Sequence, residues 1–189
     1  LTGLLNLGGT ILGTSREKPF KRKAGAVSEN KPAIMLQTIR ERGLDCIVCI
    51  GGNGTQKTAA KLAEAGVNVV SIPKTIDNDL VHTDHTPGFG SAAKYVASTV
   101  REITTDANVY EKKSVTIIEI MGRHAGWLTA ASALARKYDG DNPLFIYLPE
   151  VAFDQDLFLK DLEKAFEKNC NLIVCVSEGI HDADGTFIC

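Results

Sequence analysis

A chain of 189 residues is long enough for one large or two small domains, and its 44% hydrophobic and 23% charged content is ordinary for a globular protein with a sizeable core. A net charge of −2 gives no electrostatic case for a nucleic-acid partner or an anionic membrane surface. No apolar run is long enough to span a bilayer and no charged-then-apolar leader opens the chain, which begins at Leu1 and stops at Cys189 without a closing element. The expectation is an internal piece of a longer protein.

The elements alternate along the chain. Residues 31–42 set Met35, Leu36 and Ile39 at helical spacing, with Gln37, Arg40, Glu41 and Arg42 on the polar side and Gly43 as C-cap. Residues 44–50 read as a mostly buried strand that runs into Gly51 and Gly52. Residues 56–65 are good helix formers closed by Gly66, and residues 67–72 form a second strand stopped at Pro73. A long helix is expected over 90–106, a third strand over 115–121, an alanine-rich helix over 125–137 and a short strand over 144–148. An amphipathic helix over 156–168 carries Leu157, Leu159, Leu162 and Phe166, and residues 172–176 are the last strand.

The chain has five cysteines, an odd number. Cys46 and Cys49 form a C-x-x-C inside an apolar run, which reads as a buried strand rather than a redox or metal site. Cys170 and Cys175 flank another apolar run, and the usage suits a reducing, cytoplasmic setting.

Strand–helix alternation of this kind marks an α/β fold, with parallel sheets covered by helices on both faces. In such sheets ligands bind beyond the carboxyl ends of the strands. The residues there are Gly51 to Thr55, Pro73 to Asp79, Gly122 to His124, and Ser177 to Gly179. They are small, charged or hydroxyl-bearing at every strand end.

Gly51, Gly52 and Gly54 allow backbone N–H groups to approach a phosphate at the positive end of the following helix, where Thr55 adds a hydroxyl and can cap. A plain tight turn is the competing reading. Asp77 and Asp79 lie two residues apart beside Lys74, Thr75 and Asn78. Two carboxylates aimed at one site repel, and a metal, a cation or a raised pKa must compensate. Phosphoryl transfer uses this set: a carboxylate to take the acceptor proton, another to hold Mg²⁺, and a cation for the developing charge. An acidic solvated loop is the alternative. Arg123 after the third strand suits bidentate phosphate binding or, alternatively, a surface salt bridge. His124 and Glu178 are further polar groups at strand ends.

Taken in order, G-G-N-G-T, P-K-T-I-D-N-D, I-E-I-M-G-R-H-A-G-W and S-E-G resemble the phosphofructokinase family, and the segment from Gly8 to Arg16 is similar to an upstream family motif. The resemblance covers essentially the whole chain. It implies a phosphofructokinase-like fold of two lobes, with residues 1–88 in the donor lobe and 89–189 in the sugar-phosphate lobe. The implied activity is transfer of a phosphoryl group from ATP, or from pyrophosphate, to the 1-hydroxyl of fructose 6-phosphate. Asp77 would be the base, with Thr75 and Lys74 beside it in the catalytic segment. Asp79 would help hold Mg²⁺ and stand with Thr75 and Asp77 at the sugar. Met121, Gly122 and Arg123 would hold the sugar phosphate, and Glu178 its hydroxyls. Arg16, Gly52, Asn53, Gly54 and Thr55 would line the donor site, with Asn53 also at the metal.

The third residue of the glycine motif is commonly Asp in the family and is Asn53 here, a neutral oxygen with less hold on a cation. Gly54 resembles ATP users, because a side chain there would collide with the nucleotide. Lys74 resembles the pyrophosphate users, but a flexible lysine can swing aside, which favours ATP. NAD and diacylglycerol kinases share the glycine turn but not the later motifs. A non-catalytic regulatory module is the reading from another class. Homo-oligomers, dimers or tetramers, are implied, as is the inactivity of this segment alone.

Overall fold

The computed structural model describes residues 3–15, 19–20 and 31–188. The chain divides into two compact units, Leu1–Ile72 and Pro73–Cys189.

In the first unit a single 3₁₀ turn, Leu4–Asn6, precedes α1 (Lys31–Glu41), β1 (Ile47–Gly51), α2 (Asn53–Glu64) and β2 (Val69–Pro73, whose last residue opens the second unit). Gly43 and Gly66, at φ +59° and +86°, end α1 and α2 as expected. In each case the next residue's N–H reaches back five positions, Leu44 to the Ile39 carbonyl and Val67 to that of Leu62, both at 3.1 Å. β1 and β2 form a two-stranded sheet, on which α2 buries Ala59 and Leu62.

Two expectations change here. The first strand is half-buried rather than mostly buried: Val48 and Ile50 are exposed, as are Val70 and Ile72 on β2. Side chains alternate across a strand, so a sheet covered on one face leaves every second residue outward. Cys46 is therefore exposed and Cys49 half-buried, and the described cysteines are free thiols. Second, α2 begins at Asn53, with Gly52 at its N-cap and no side-chain cap. Thr55 is inside the first turn and cannot cap it.

The second unit holds α3 (Phe89–Ala107), β3 (Ser114–Ile120), α4 (Trp127–Ala131), β4 (Phe145–Tyr147), α5 (Gln155–Ala165) and β5 (Asn171–Ser177). The sheet order is β3-β5-β4 and both pairings are parallel. Every residue of the central strand β5 is buried, which is why it reads as an unbroken apolar run. Ile173 and Cys175 pack with Val100 of α3 and Leu128 of α4. Leu172, Val174 and Val176 pack on the opposite face with Leu162 and Phe158 of α5. Helices thus cover both faces of this sheet.

On α5, Phe158, Leu162, Ala165 and Phe166 carry the inward stripe, while Leu157 and Leu159 are exposed. The helix is set by the Asp154 carboxylate, which accepts from the Leu157 N–H at 2.9 Å. The helix expected over 125–137 is shorter: α4 passes into a 3₁₀ turn at Ser132–Ala135. The Ser132 hydroxyl donates to the Thr129 carbonyl at 2.5 Å, a bond three residues back that favours the tighter winding.

Candidate active site

β3 and β5 run in register from Ser114–Asn171 to Ile120–Ser177, so their carboxyl ends are level. The chain leaving β5 is laced to the chain leaving β3. The Glu178 N–H donates to the Ile120 carbonyl at 2.9 Å. The Ser177 hydroxyl donates to the Gly122 carbonyl at 2.7 Å and accepts from the Gly179 N–H at 3.0 Å. The Glu178 carboxylate accepts from the Gly122 N–H at 3.3 Å, and its other oxygen lies 3.5 Å from the Arg123 guanidinium. Arg123, Gly122 and Glu178 are therefore one cluster. Met121 and His124 beside them are exposed, and Glu178 is half-buried.

Lys74 to Asp79 lies in this same unit. The contact boundary falls at Ile72–Pro73. The reason is local: Ile76 packs against the Val100–Leu128 core, and Thr75 bridges to Gly88. Thr75 Oγ1 accepts from the Asp77 N–H at 3.1 Å, an arrangement that leaves the Thr75 O–H as a donor.

The Asp77 carboxyl is held above its ordinary value of 3.8. Desolvation by burial is the main cause, and the negative charges of Asp79 and Glu178 add to it, while His124 and Lys74 pull it back down. One oxygen of Asp77 is buried with no hydrogen-bond partner among the described residues. Asp79 and Lys74 are exposed. Asp79, Glu178, His124 and Lys74 thus all act electrostatically on Asp77, with Arg123 joined through Glu178.

Sequence reasoning named Asn78 beside the aspartates without giving it a role, and passed over Thr86. Both are buried and hydrogen-bonded to each other. The only sequence signal was an Asn, tolerant of left-handed backbone, set between two aspartates.

The glycine turn belongs to the first unit. Gly52 and Thr55 are half-buried, and Asn53 and Gly54 are exposed. Gln56 stitches the turn from below, donating to the Gly51 carbonyl at 2.8 Å and the Ile72 carbonyl at 3.3 Å, and pairing with the Ser71 hydroxyl. A Cβ on Gly54 would meet no atom of the chain within 4 Å, so packing within the chain does not demand glycine there. Arg16 lies outside the described residues.

Among the described residues no three His, Cys, Asp or Glu side chains converge as a metal cage. Mg²⁺ is usually held by one or two carboxylates together with water and substrate phosphates. The exposed carboxylate of Asp79, next to the unpartnered Asp77 oxygen, fits that mode. Asn53 offers a neutral oxygen. No helix of the described residues is long and apolar enough to cross a membrane.

Comparison with known proteins bears on the same residues. The family model described as Phosphofructokinase matches residues 1–189. The chain is 50% identical over 182 residues to the ATP-dependent 6-phosphofructokinase 3 of Bacteroides thetaiotaomicron, covering 95% of this chain and 52% of that protein. It is 42% identical over 182 residues to the pyrophosphate--fructose 6-phosphate 1-phosphotransferase of Rhodospirillum rubrum, covering 93% of this chain and 43% of that one. The crystal structure of the pyrophosphate-dependent phosphofructokinase from Marinobacter aquaeolei superposes with a TM-score of 0.76 at 32% identity, over 92% of this chain and 44% of that chain. The chain thus spans about half the length of the curated relatives it matches. A match that runs from the first residue to the last leaves one assignment: this chain belongs to the phosphofructokinase family.

Proposed function

We propose that the protein carrying this chain transfers the terminal phosphoryl group of ATP to the 1-hydroxyl of fructose 6-phosphate, giving fructose 1,6-bisphosphate and ADP in glycolysis. The observation that carries this reading is the Asp77 carboxylate: partly desolvated, raised in pKa, and with one oxygen unpartnered. A carboxylate whose pKa is raised is a stronger base toward a hydroxyl proton.

Asp77 removes the proton of the sugar 1-hydroxyl as that oxygen attacks. Thr75, whose hydroxyl oxygen is already engaged by the Asp77 N–H, offers its O–H to the transferring phosphoryl or the sugar. Lys74 counters the negative charge around Asp77. Arg123 exchanges its exposed contact with Glu178 for the sugar phosphate, with Met121 and Gly122 shaping the wall, and Glu178 accepts from sugar hydroxyls. Gly52, Asn53, Gly54, Thr55 and Arg16 receive the donor phosphates. Asp79 would hold Mg²⁺, which supplies neutralisation of the charge on the transferring phosphoryl when bound.

ATP is preferred because Gly54 is bare without any need of the chain's own packing, so the space above it is open to a nucleotide. Pyrophosphate is the second reading, favoured by the exposed Lys74 and by relatives named for either donor. The same reading has the protein working in the cytoplasm as a homo-oligomer, a dimer or tetramer, which sedimentation of the full-length protein would measure. The deciding experiment is a coupled assay of the full-length protein on fructose 6-phosphate with ATP and pyrophosphate supplied separately. Turnover with ATP is expected. Turnover with pyrophosphate alone overturns the donor, and none with either overturns the activity.

A further inference from the structure

Asn78 stands between the two aspartates of the catalytic segment and has a positive backbone angle, φ +56°. Its side chain is not free to serve a ligand, being only 7% exposed and engaged at both ends. Nδ2 donates to the Asp84 carbonyl at 3.1 Å, and Oδ1 accepts from the Thr86 N–H at 2.9 Å. Thr86, itself 3% exposed, donates its hydroxyl to the Thr75 carbonyl at 2.7 Å and lies 3.3 Å from Asn78 Oδ1. The segment from Thr75 to Thr86 is thus closed on itself by a buried Asn–Thr knot with a tie at each end.

The knot matters because it fixes the backbone that carries Asp77, together with the Thr75 hydroxyl that accepts from the Asp77 N–H. One oxygen of its carboxylate has no donor among the described residues, and neighbouring negative charge from Asp79 and Glu178 pushes against it. Like charges brought together splay apart unless the backbone beneath them is fixed. A left-handed residue also turns the chain sharply between the two carboxylates, and asparagine reaches that conformation at less cost than most side chains.

We infer that Asn78, locked by Thr86, is the positioning residue that holds the Asp77 and Asp79 carboxylates at the reacting centre. The inference rests on the reading of Asp77 as the base. It assigns Asn78 no contact with substrate. Its loss therefore slows the chemical step and leaves substrate binding nearly intact.

The test is steady-state kinetics and thermal melting of full-length Asn78→Gly, Thr86→Val, Thr86→Ser and Asp77→Asn. Glycine keeps the left-handed backbone accessible and removes both side-chain ties. Asn78→Gly is expected to lower kcat by about 10- to 100-fold with KM for both substrates within about twofold of the parent. Thr86→Val should lower kcat in the same sense, and Thr86→Ser, which keeps the hydroxyl, should restore it. Parent-like kcat in Asn78→Gly overturns the inference. Should Asn78→Gly fail to fold, the Thr86 pair decides: equal kcat in valine and serine variants overturns it, and loss in valine alone supports it. Asp77→Asn separates the two levels. If it stays active, the base assignment itself fails and the inference falls with it; if it is inactive while Asn78→Gly is unimpaired, only the positioning role fails.

Discussion

Gly179 lies flat against the backbone of Arg123: a Cβ on it would overlap the Arg123 carbonyl, and the contact is with backbone that cannot swing aside. The turn after β5 is thereby pressed onto the residue proposed to bind the sugar phosphate. Gly179→Ala must push Arg123 away or distort the end of β5. It is expected to cost about 1–3 kcal/mol of stability and to raise KM for fructose 6-phosphate, read by denaturant unfolding and steady-state kinetics.

Arg123 and Glu178 form an ion pair in which the arginine side chain is 59% exposed. Such a pair contributes little to folding, within about 0.5 kcal/mol. Its proposed value is in binding, where a charged hydrogen bond to phosphate is worth about 1.5–3 kcal/mol. Arg123→Met in the full-length protein should therefore raise KM for fructose 6-phosphate by roughly 10- to 100-fold with an unchanged melting temperature. A parent-like KM would remove Arg123 from the substrate site.

Asp77 holds its proton more tightly in the folded chain than an ordinary aspartate does. Its folded pKa is raised, first by burial and then by Asp79 and Glu178. The group binds protons more readily folded than unfolded, so its contribution to stability is full below the ordinary 3.8 and is lost as pH rises through the folded value. Above the folded value the charged carboxylate weighs against folding, a burden that the proposed role as base requires. Asp77→Asn should melt higher than the parent at pH 7, and the advantage should shrink as the pH falls toward 4, while activity drops by about 10²- to 10⁴-fold. An Asp77→Asn variant that melts lower at pH 7 would contradict the electrostatic account.

Gly54 sits in the first turn of α2, exposed and without neighbours. A negative side chain there faces the positive end of the helix, so Gly54→Asp should leave stability unchanged or raise it by about 0.3–1 kcal/mol. Its carboxylate would occupy the space assigned to the nucleotide. KM for ATP should rise by about tenfold or more, with pyrophosphate affected less. Equal loss with both donors would mean that Gly54 does not discriminate between them.

Much of this was legible from residue order. The apolar run from Leu172 to Val176 announced a strand, and the fold buries it on both faces as β5, because a central parallel strand is covered above and below. The small and charged residues at strand ends marked the candidate site, because those ends are where a parallel α/β sheet leaves space for ligands. The exposure of Val48 and Ile50 was not legible: an apolar strand covered on one face looks the same in one dimension as one covered on two. Likewise the break of the helix after Ala131 rests on one Ser132 hydroxyl choosing a carbonyl three residues back.

The site divides in the same way. By itself the sequence determined the family, the fold class, and the residue types for the proposed phosphoryl-transfer centre in Lys74 to Asp79, Met121 to Arg123 and Glu178, because spacing and chemistry are written in residue order. Only the tertiary structure decided that Glu178 ties to both Gly122 and Arg123, that Asp77 is raised and left with a bare oxygen, and that Asn78 is a buried clamp joined to Thr86. The physical reason is that pKa, burial and hydrogen-bond partnership depend on groups brought together from distant parts of the chain, and no residue carries them alone.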